Sequence, residues 1–183
     1  AFTDQLTAFA DLQYRRVSHA IHGTDNDLVN LAFDESYSFF NPKAGITYQL
    51  AEQSSVYASY SVGNREPNRD DFTNSTANLF PKSERLQNVE AGFRTQQGKW
   101  AFAANYYLMS YKNQLVLTGQ INDVGGSVRV NVPKSYRTGI ELEGAVAFNN
   151  HLKWNANATF SQNKIKNFTE YIVDYDNGGY QIV

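Results

Sequence analysis

Apolar and polar residues alternate with period two along this chain, most plainly in Ser55-Val56-Tyr57-Ala58-Ser59-Tyr60-Ser61-Val62-Gly63. There Val56, Ala58, Tyr60 and Val62 share one face, and Tyr57, Ser59 and Ser61 share the other, the signature of a β-strand with two different surroundings. Six further segments of about ten residues split the same way. Leu6, Ala8, Ala10, Leu12 and Tyr14 oppose Thr7, Asp11, Gln13 and Arg15; Phe40, Pro42, Ala44, Ile46, Tyr48 and Leu50 oppose Asn41, Lys43, Thr47 and Gln49. Val89, Ala91 and Phe93 oppose Asn88, Glu90 and Arg94; Trp100, Phe102, Ala104, Tyr106 and Leu108 oppose Asn105 and Tyr107. Tyr136, Thr138, Ile140, Leu142, Val146 and Phe148 oppose Arg137, Glu141 and Glu143, and Trp154, Ala156, Ala158 and Phe160 oppose Lys153, Asn155, Asn157 and Ser161. Charges within these segments fall on the polar face. The pattern predicts an all-β antiparallel meander of about seven or eight long strands, each with one apolar face.

A lipid-facing surface enforces this segregation, because Arg or Lys at bilayer mid-depth costs on the order of 2–4 kcal/mol. A soluble sandwich enforces it too, since its core also demands one apolar face. The connections separate the two readings. Short turns at Ala51–Ser54, Gln96–Lys99 and Asn149–His151 alternate with long polar stretches at Ile21–Ser38, Asn64–Leu86 and Gly119–Ser127, with another opening near Asp174. Short turns at one rim and long loops at the other match outer-membrane barrels. Tyr48, Phe93, Trp100, Phe148 and Trp154 gather near the short turns, where an interfacial aromatic girdle lies.

Composition supports this assignment. Among 183 residues, 12 Tyr, 12 Phe and 2 Trp accompany only 19% charged residues, so the rings need an apolar environment that few aliphatic residues supply. The net charge of −2 offers no basic field for nucleic acid or for an anionic surface. Absent Cys excludes disulfides, thiolate metal sites and thiol nucleophiles. No stretch is apolar for the eighteen residues that a transmembrane helix needs, so a membrane-spanning form has to be a barrel.

Three motifs carry a resemblance. Tyr57 to Asn68 reads as an aromatic strand entering Gly63-Asn64-Arg65-Glu66-Pro67; Ser83 to Phe93 reads as a return strand with Glu84, Glu90 and Gly92; Tyr136 to Glu143 contains Gly139-Ile140-Glu141-Leu142-Glu143. In that order, with Asn41-Pro42-Lys43-Ala44-Gly45, they resemble the TonB-dependent outer-membrane receptor family. Asn64 stands where the family usually has Phe, and Ser83 where Pro is common. The resemblance implies a 22-stranded transmembrane barrel, of which residues 1–183 are a partial barrel without the plug domain or the C-terminal strand. It also implies a Gram-negative outer-membrane receptor that imports a scarce nutrient such as an iron chelate or cobalamin. Its partners are outer-membrane lipid, its own plug, TonB and the small-molecule ligand, with no nucleic acid and no cofactor.

By that resemblance the ligand-binding candidates lie at the start of the loop from Asn64 to Leu86: Arg65, Asn68, Arg69, Asp70, Asp71 and Phe72. Arg can pair bidentately with carboxylate or phosphate, and Phe72 offers a stacking face; alternatively these charges pair with one another. Glu90, Arg94, Arg137, Glu141 and Glu143 are the lumen-lining candidates, set to line a path or to pair across strands. His19 and His22, followed by Asp25 and Asp27, form no expected metal site, because side chains three apart on a strand point to opposite faces. No catalytic motif is present, so the chain is read as no enzyme. A soluble β-sandwich or lectin-like module and a complete eight-stranded barrel are the alternatives. In a sandwich, Val56, Tyr60, Phe102 and Leu108 pack against a second sheet; in a barrel wall they form an exposed belt.

Overall fold

A computed structural model describes residues 4–24, 30–74, 80–122 and 125–183, with the side chains at 30 and 31 set aside. Seven strands form one sheet: β1 (Leu6–Thr24), β2 (Asn30–Ala51), β3 (Ser54–Arg65), β4 (Glu84–Gln97), β5 (Trp100–Ile121), β6 (Ser127–Ala147) and β7 (Lys153–Ile165). Each pairs antiparallel with the next in sequence order, a pure meander. A five-residue helix, α1 (Arg69–Thr73), lies between β3 and β4, and a small separate hairpin, β8 (Tyr171–Val173) and β9 (Tyr180–Ile182), follows β7.

The more apolar face of this sheet is the more exposed one. Along β2, Phe40, Ala44, Ile46, Tyr48 and Leu50 are exposed, while Asn41, Gly45, Thr47 and Gln49 on the other face are half-buried or buried. Leu12 is 71% and Phe160 68% exposed, and Val56, Tyr60 and Phe102 join them; Leu108 is half-buried. Leaving each such large side chain in water forgoes roughly 1.5–3 kcal/mol of burial. Among the described residues no second sheet covers this face, since the only other one is the three-residue pair β8–β9. The sandwich alternative fails on that geometry.

The polar face curls inward. A cleft of about 980 Å³ is lined by Gln49 on β2, Ser55 on β3, Arg94 on β4, Ala103 on β5, Glu143 on β6 and Asn157 on β7. Strands that far apart in the sheet share a cleft only if the sheet bends around it, as a barrel wall does.

The expected apolar segments are present, but four strands, β1, β2, β5 and β6, run well past them. The stretch Ile21–Ser38, expected as loop, is mostly strand: β1 and β2 pair without a slip from Leu6↔Tyr48 to Thr24↔Asn30. Gly119–Ser127 is likewise shortened by the tall β5–β6 hairpin, whose last pair is Ile121↔Ser127. The cause is a reversal of sides. Below Tyr14 and Phe40 the apolar residues take the outer face; above them Val17, Ile21, Phe33, Tyr37 and Phe39 take the inner face, while Arg16, Ser18, His22, Asp34 and Ser36 point out. The register is unbroken, so the change marks a change of solvent on the outside rather than the end of a strand.

Candidate functional site

At the long-loop rim the described parts of the β3–β4 connection, residues 66–74 and 80–83, sit between two tall hairpins and are tied to both. Asn68 caps α1: its Oδ1 accepts from the Asp71 amide at 2.9 Å, and Asp71 Oδ2 accepts from the Asn68 amide at 2.8 Å, a reciprocal capping box. The other Asp71 oxygen accepts from Arg129 Nη1 on β6 at 3.2 Å. Lys82 is held through its backbone by Asn131 on the same strand, donating to Asn131 Oδ1 at 2.7 Å and accepting from Asn131 Nδ2 at 2.9 Å. On the opposite side Phe72 packs on Phe33 of β2 with ring centroids 5.3 Å apart, and Phe80 meets Phe33 edge-on at 6.2 Å.

Arg15 on β1 completes the attachment. Its Nη1 donates to Glu66 Oε1 at 3.0 Å and its Nη2 to Glu66 Oε2 at 2.5 Å, a bidentate pair, and Nη2 also donates to the Asn64 carbonyl at 3.2 Å. The guanidinium lies 5.1 Å from the centre of the Phe39 ring. Burial alone raises the Glu66 carboxyl, but hydrogen bonds from its own backbone amide and from Arg15, with the Arg15 and His19 charges, hold it below its ordinary 4.5.

The six loop candidates therefore divide. Arg65 pairs with Glu84 at 3.0 Å, where Glu84 also accepts from the Leu115 amide. Asn68 and Asp71 hold the helix, and Phe72, only 4% exposed, is covered by Phe33 and offers no open face for a planar ligand. Arg69 and Asp70 are exposed and have no side-chain partner among the described residues. Sequence reasoning passed over Arg15, Phe33, Glu66, Arg129 and Asn131. The inward placement of alternate residues above Tyr14 and Phe40 was the signal that pointed to the first two.

The five candidates on the inner face do not pair with one another among the described residues. Register explains why: Glu90 lies opposite Tyr107, Arg94 opposite Ala103, Arg137 opposite Met109, Glu141 opposite Asn105 and Glu143 opposite Ala103, so acid never directly faces base. Four of them meet neutral neighbours instead. Glu90 accepts from Asn88 Nδ2 at 2.7 Å, Arg94 donates to Ser55 Oγ at 3.0 Å, and the Arg137 guanidinium lies 5.6 Å from the Tyr111 ring centre. Glu141 ends a cross-strand chain in which Tyr57 Oη donates to Asn105 Oδ1 at 3.0 Å and Asn105 Nδ2 donates to Glu141 Oε2 at 3.2 Å. Arg94 and Glu143 flank Ala103 at the floor of the cleft.

His19 and His22 fall on opposite faces of β1. His22 Nε2 meets Asp34 Oδ1 at 3.1 Å on the outside, while His19 faces inward against Tyr37, with its buried Nε2 unpartnered among the described residues. Asp25 and Asp27 lie outside the described residues.

A second aromatic row emerges on the outer face at the top of the apolar belt. Tyr14 Oη donates to Ser38 Oγ at 3.1 Å and Tyr60 Oη accepts from Gln87 Nε2 at 3.0 Å, each reaching a polar residue above the belt, while Tyr136 Oη donates at 2.9 Å to Gln162 Oε1, which is level with Thr138 at the belt's upper edge. With the lower row at Tyr48, Phe93, Trp100, Phe148 and Trp154, it brackets the apolar band. From Tyr48 to Phe40 is eight residues. That is roughly 26 Å along a strand, or about 20 Å of height at barrel tilt before the rings are added.

The family model described as "TonB dependent receptor-like, beta-barrel" matches residues 1–183. No match is found among curated protein sequences. Among solved structures, the copper transporter OprC superposes with a TM-score of 0.77 at 14% identity, over 89% of this chain and 27% of that one. The FrpB iron transporter from Neisseria meningitidis, in its F5-1 apoprotein form, gives 0.69 at 22% identity, over 89% and 24%. The ferric-catecholate import receptor Fiu from K12 E. coli gives 0.65 at 18%, over 98% and 28%. At these identities the likeness is one of fold, and the chain spans about a quarter of each of these structures.

Proposed function

Since the chain belongs to the TonB-dependent receptor β-barrel family, we propose that it forms a section of the wall of a Gram-negative outer-membrane receptor that imports a scarce nutrient, an iron chelate or cobalamin, energised through TonB. The reading makes it a transporter and not an enzyme. Residues 1–183 contribute wall and part of the outward rim, while the plug, the TonB-contacting segment and the remaining strands lie elsewhere in the protein.

One observation carries this reading: a single seven-stranded meander presents a continuous exposed apolar band bounded by two aromatic rows, with its charges turned to the inner face. Lipid satisfies that band, and a bent polar face suits a passage. Unpaired outer edges on β1 and β7 among the described residues fit a wall that continues on both sides. At the rim, Arg69 and Asp70 are the candidate residues free to meet a ligand, while Arg65, Asn68, Asp71 and Phe72 shape the loop that presents them. Glu90, Arg94, Arg137, Glu141 and Glu143 line the inner face.

The test uses cells carrying the whole receptor, supplied in turn with radiolabelled ferric catecholate, ferric hydroxamate and cobalamin. The reading expects accumulation of one of them that stops when a protonophore collapses the energy source, and weaker binding at the surface in Arg69→Ala/Asp70→Ala. Accumulation unaffected by the protonophore contradicts TonB-type import.

A further inference from the structure

Asparagine is followed directly by glycine once in the chain, at Asn177-Gly178 in the turn of the β8–β9 hairpin. That pair carries its own chemistry. The backbone nitrogen of the second residue can attack the side-chain carbon of the first, and glycine has no Cβ to crowd the approach. The turn is exposed, and Gly178 and Gly179 close it with φ of +71° and +97°.

One residue binds both reacting groups. The Asp174 carbonyl accepts from the Gly178 amide at 3.0 Å, and Asp174 Oδ2 accepts from Asn177 Nδ2 at 3.1 Å. Asp174 Oδ1 also accepts from the Asp176 and Asn177 amides, each at 3.1 Å, and Oδ2 from Gln181 Nε2 at 3.2 Å. These hydrogen bonds, led by the one from the Asn177 side chain, hold the Asp174 carboxyl down to about 2, so it is ionised throughout the neutral range. The attacking nitrogen has to lose its proton before it reacts. Here that proton is engaged by a carbonyl, and the anion it would leave behind faces a carboxylate.

We propose that Asn177 is a site of spontaneous deamidation, which Asp174 keeps closed for as long as the hairpin is folded. In the reaction the Gly178 nitrogen gives up its proton and bonds to Asn177 Cγ, the Cγ–Nδ2 bond breaks, and the amide nitrogen leaves as ammonia with that proton. Water then opens the cyclic imide. Attack at Cγ leaves aspartate at 177; attack at the backbone carbonyl carbon leaves isoaspartate, with the chain running through Cβ and Cγ. The isoaspartate form lengthens the turn by one backbone atom and displaces the bond from the Asp174 amide to the Gly179 carbonyl, now 3.0 Å. The hairpin is fixed to β5 through that geometry: the Tyr180 hydroxyl accepts from the Ile121 amide at 3.0 Å, and the Tyr171 carbonyl lies against Gly119, where no Cβ would fit. Modification therefore frees β8–β9 from the tall β5–β6 hairpin.

The experiment incubates the whole receptor, folded in neutral detergent or unfolded in urea, in mildly alkaline heavy-oxygen water. Mass spectrometry of the peptide covering residues 171–183 then follows uptake of one heavy oxygen at Asn177. Uptake is expected to be slow in the folded protein and faster in urea by on the order of tenfold or more, the factor to which one hydrogen bond to a charged group corresponds. Asp174→Asn keeps an oxygen for the two backbone amides but removes the charge, and brings the folded rate toward the rate in urea. Gln181→Ala, which removes a different partner of the same carboxylate, leaves it slow. Hydrogen exchange at the Ile121 amide stays native in freshly prepared Asp174→Asn and rises with the isoaspartate fraction. Equal rates in the folded and unfolded protein, no uptake in urea, or an Asp174→Asn variant as slow as the unaltered receptor overturns the proposal. Free exchange at Ile121 in the fresh variant also overturns it, by reducing Asp174 to a residue that merely holds the hairpin together.

Discussion

Three glycines on the inner face are set opposite aromatic residues in the ladder. Phe9 faces Gly45, Tyr57 faces Gly92 and Tyr107 faces Gly139. Each ring lies across its glycine: a Cβ built at Gly45 meets Phe9 at 2.5 Å, at Gly92 meets Tyr57 at 2.5 Å, and at Gly139 meets the Tyr107 hydroxyl at 2.8 Å. Glycine is needed here for close approach of a neighbour rather than for an unusual backbone. Without it Tyr57 could not pass over β4 to reach Asn105 on β5, and the chain to Glu141 would be lost. Gly92→Ala in the whole receptor is therefore expected to cost about 1–3 kcal/mol, the range for overpacking a fitted contact. Gly144→Ala, where a Cβ meets nothing within 4 Å, serves as the control. Urea midpoints read by heat-modifiable gel migration compare them, and equal midpoints for the two variants count against the ring-over-glycine account. The motif Gly139-Ile140-Glu141 was visible in the sequence, but the ring that makes its glycine necessary was not. The partner ring comes from the neighbouring strand, and register is not contained in a single segment.

Among the elements, the β3–β4 loop depends on contacts from both tall hairpins. Phe72→Ala removes its main apolar anchor, and truncation of a buried Phe costs on the order of 3–5 kcal/mol. The barrel wall does not need that ring, so the loss is expected locally: proteolysis within residues 66–83 rises sharply while the urea midpoint of the barrel stays. A lowered barrel midpoint with an uncut loop contradicts this. The Arg15–Glu66 pair adds a pH dependence of known sign. The folded Glu66 carboxyl titrates below its ordinary 4.5, so its contribution is complete above that value and is lost as pH falls through the lower folded value. Hydrogen exchange across residues 66–83 should accelerate below about pH 4.5, and Glu66→Gln should flatten that rise. The strands within the belt were legible because lipid and interior impose opposite polarity on alternate residues. The upper halves of β1 and β2 were not, because the sides exchange roles above Tyr14 and Phe40, and a pattern read on one fixed face ends there. The loop candidates were found as charges in the right place. Which ones are free was decided by Arg129, Phe33 and Glu84, remote in sequence and brought close by the meander.

For the molecule as a whole, an exposed apolar band and two unpaired edges have one shared consequence. The isolated 183-residue chain in water is expected to associate into large particles by light scattering and to disperse with neutral detergent. A monodisperse monomer without detergent contradicts the membrane reading. The central claim, that the exposed face of the sheet meets lipid, is tested most directly by scanning β5. The chain has no Cys, so single Cys substitutions at positions 102–108 in the whole receptor label unambiguously within this segment. Spin labels on them in bilayers can be read by collision with dissolved oxygen and with a water-soluble nickel chelate. The account predicts a strict two-residue period, with Phe102, Ala104, Tyr106 and Leu108 open to oxygen and shielded from nickel, and Ala103, Asn105 and Tyr107 reversed. Nickel access at all seven positions, or a period other than two, would contradict it.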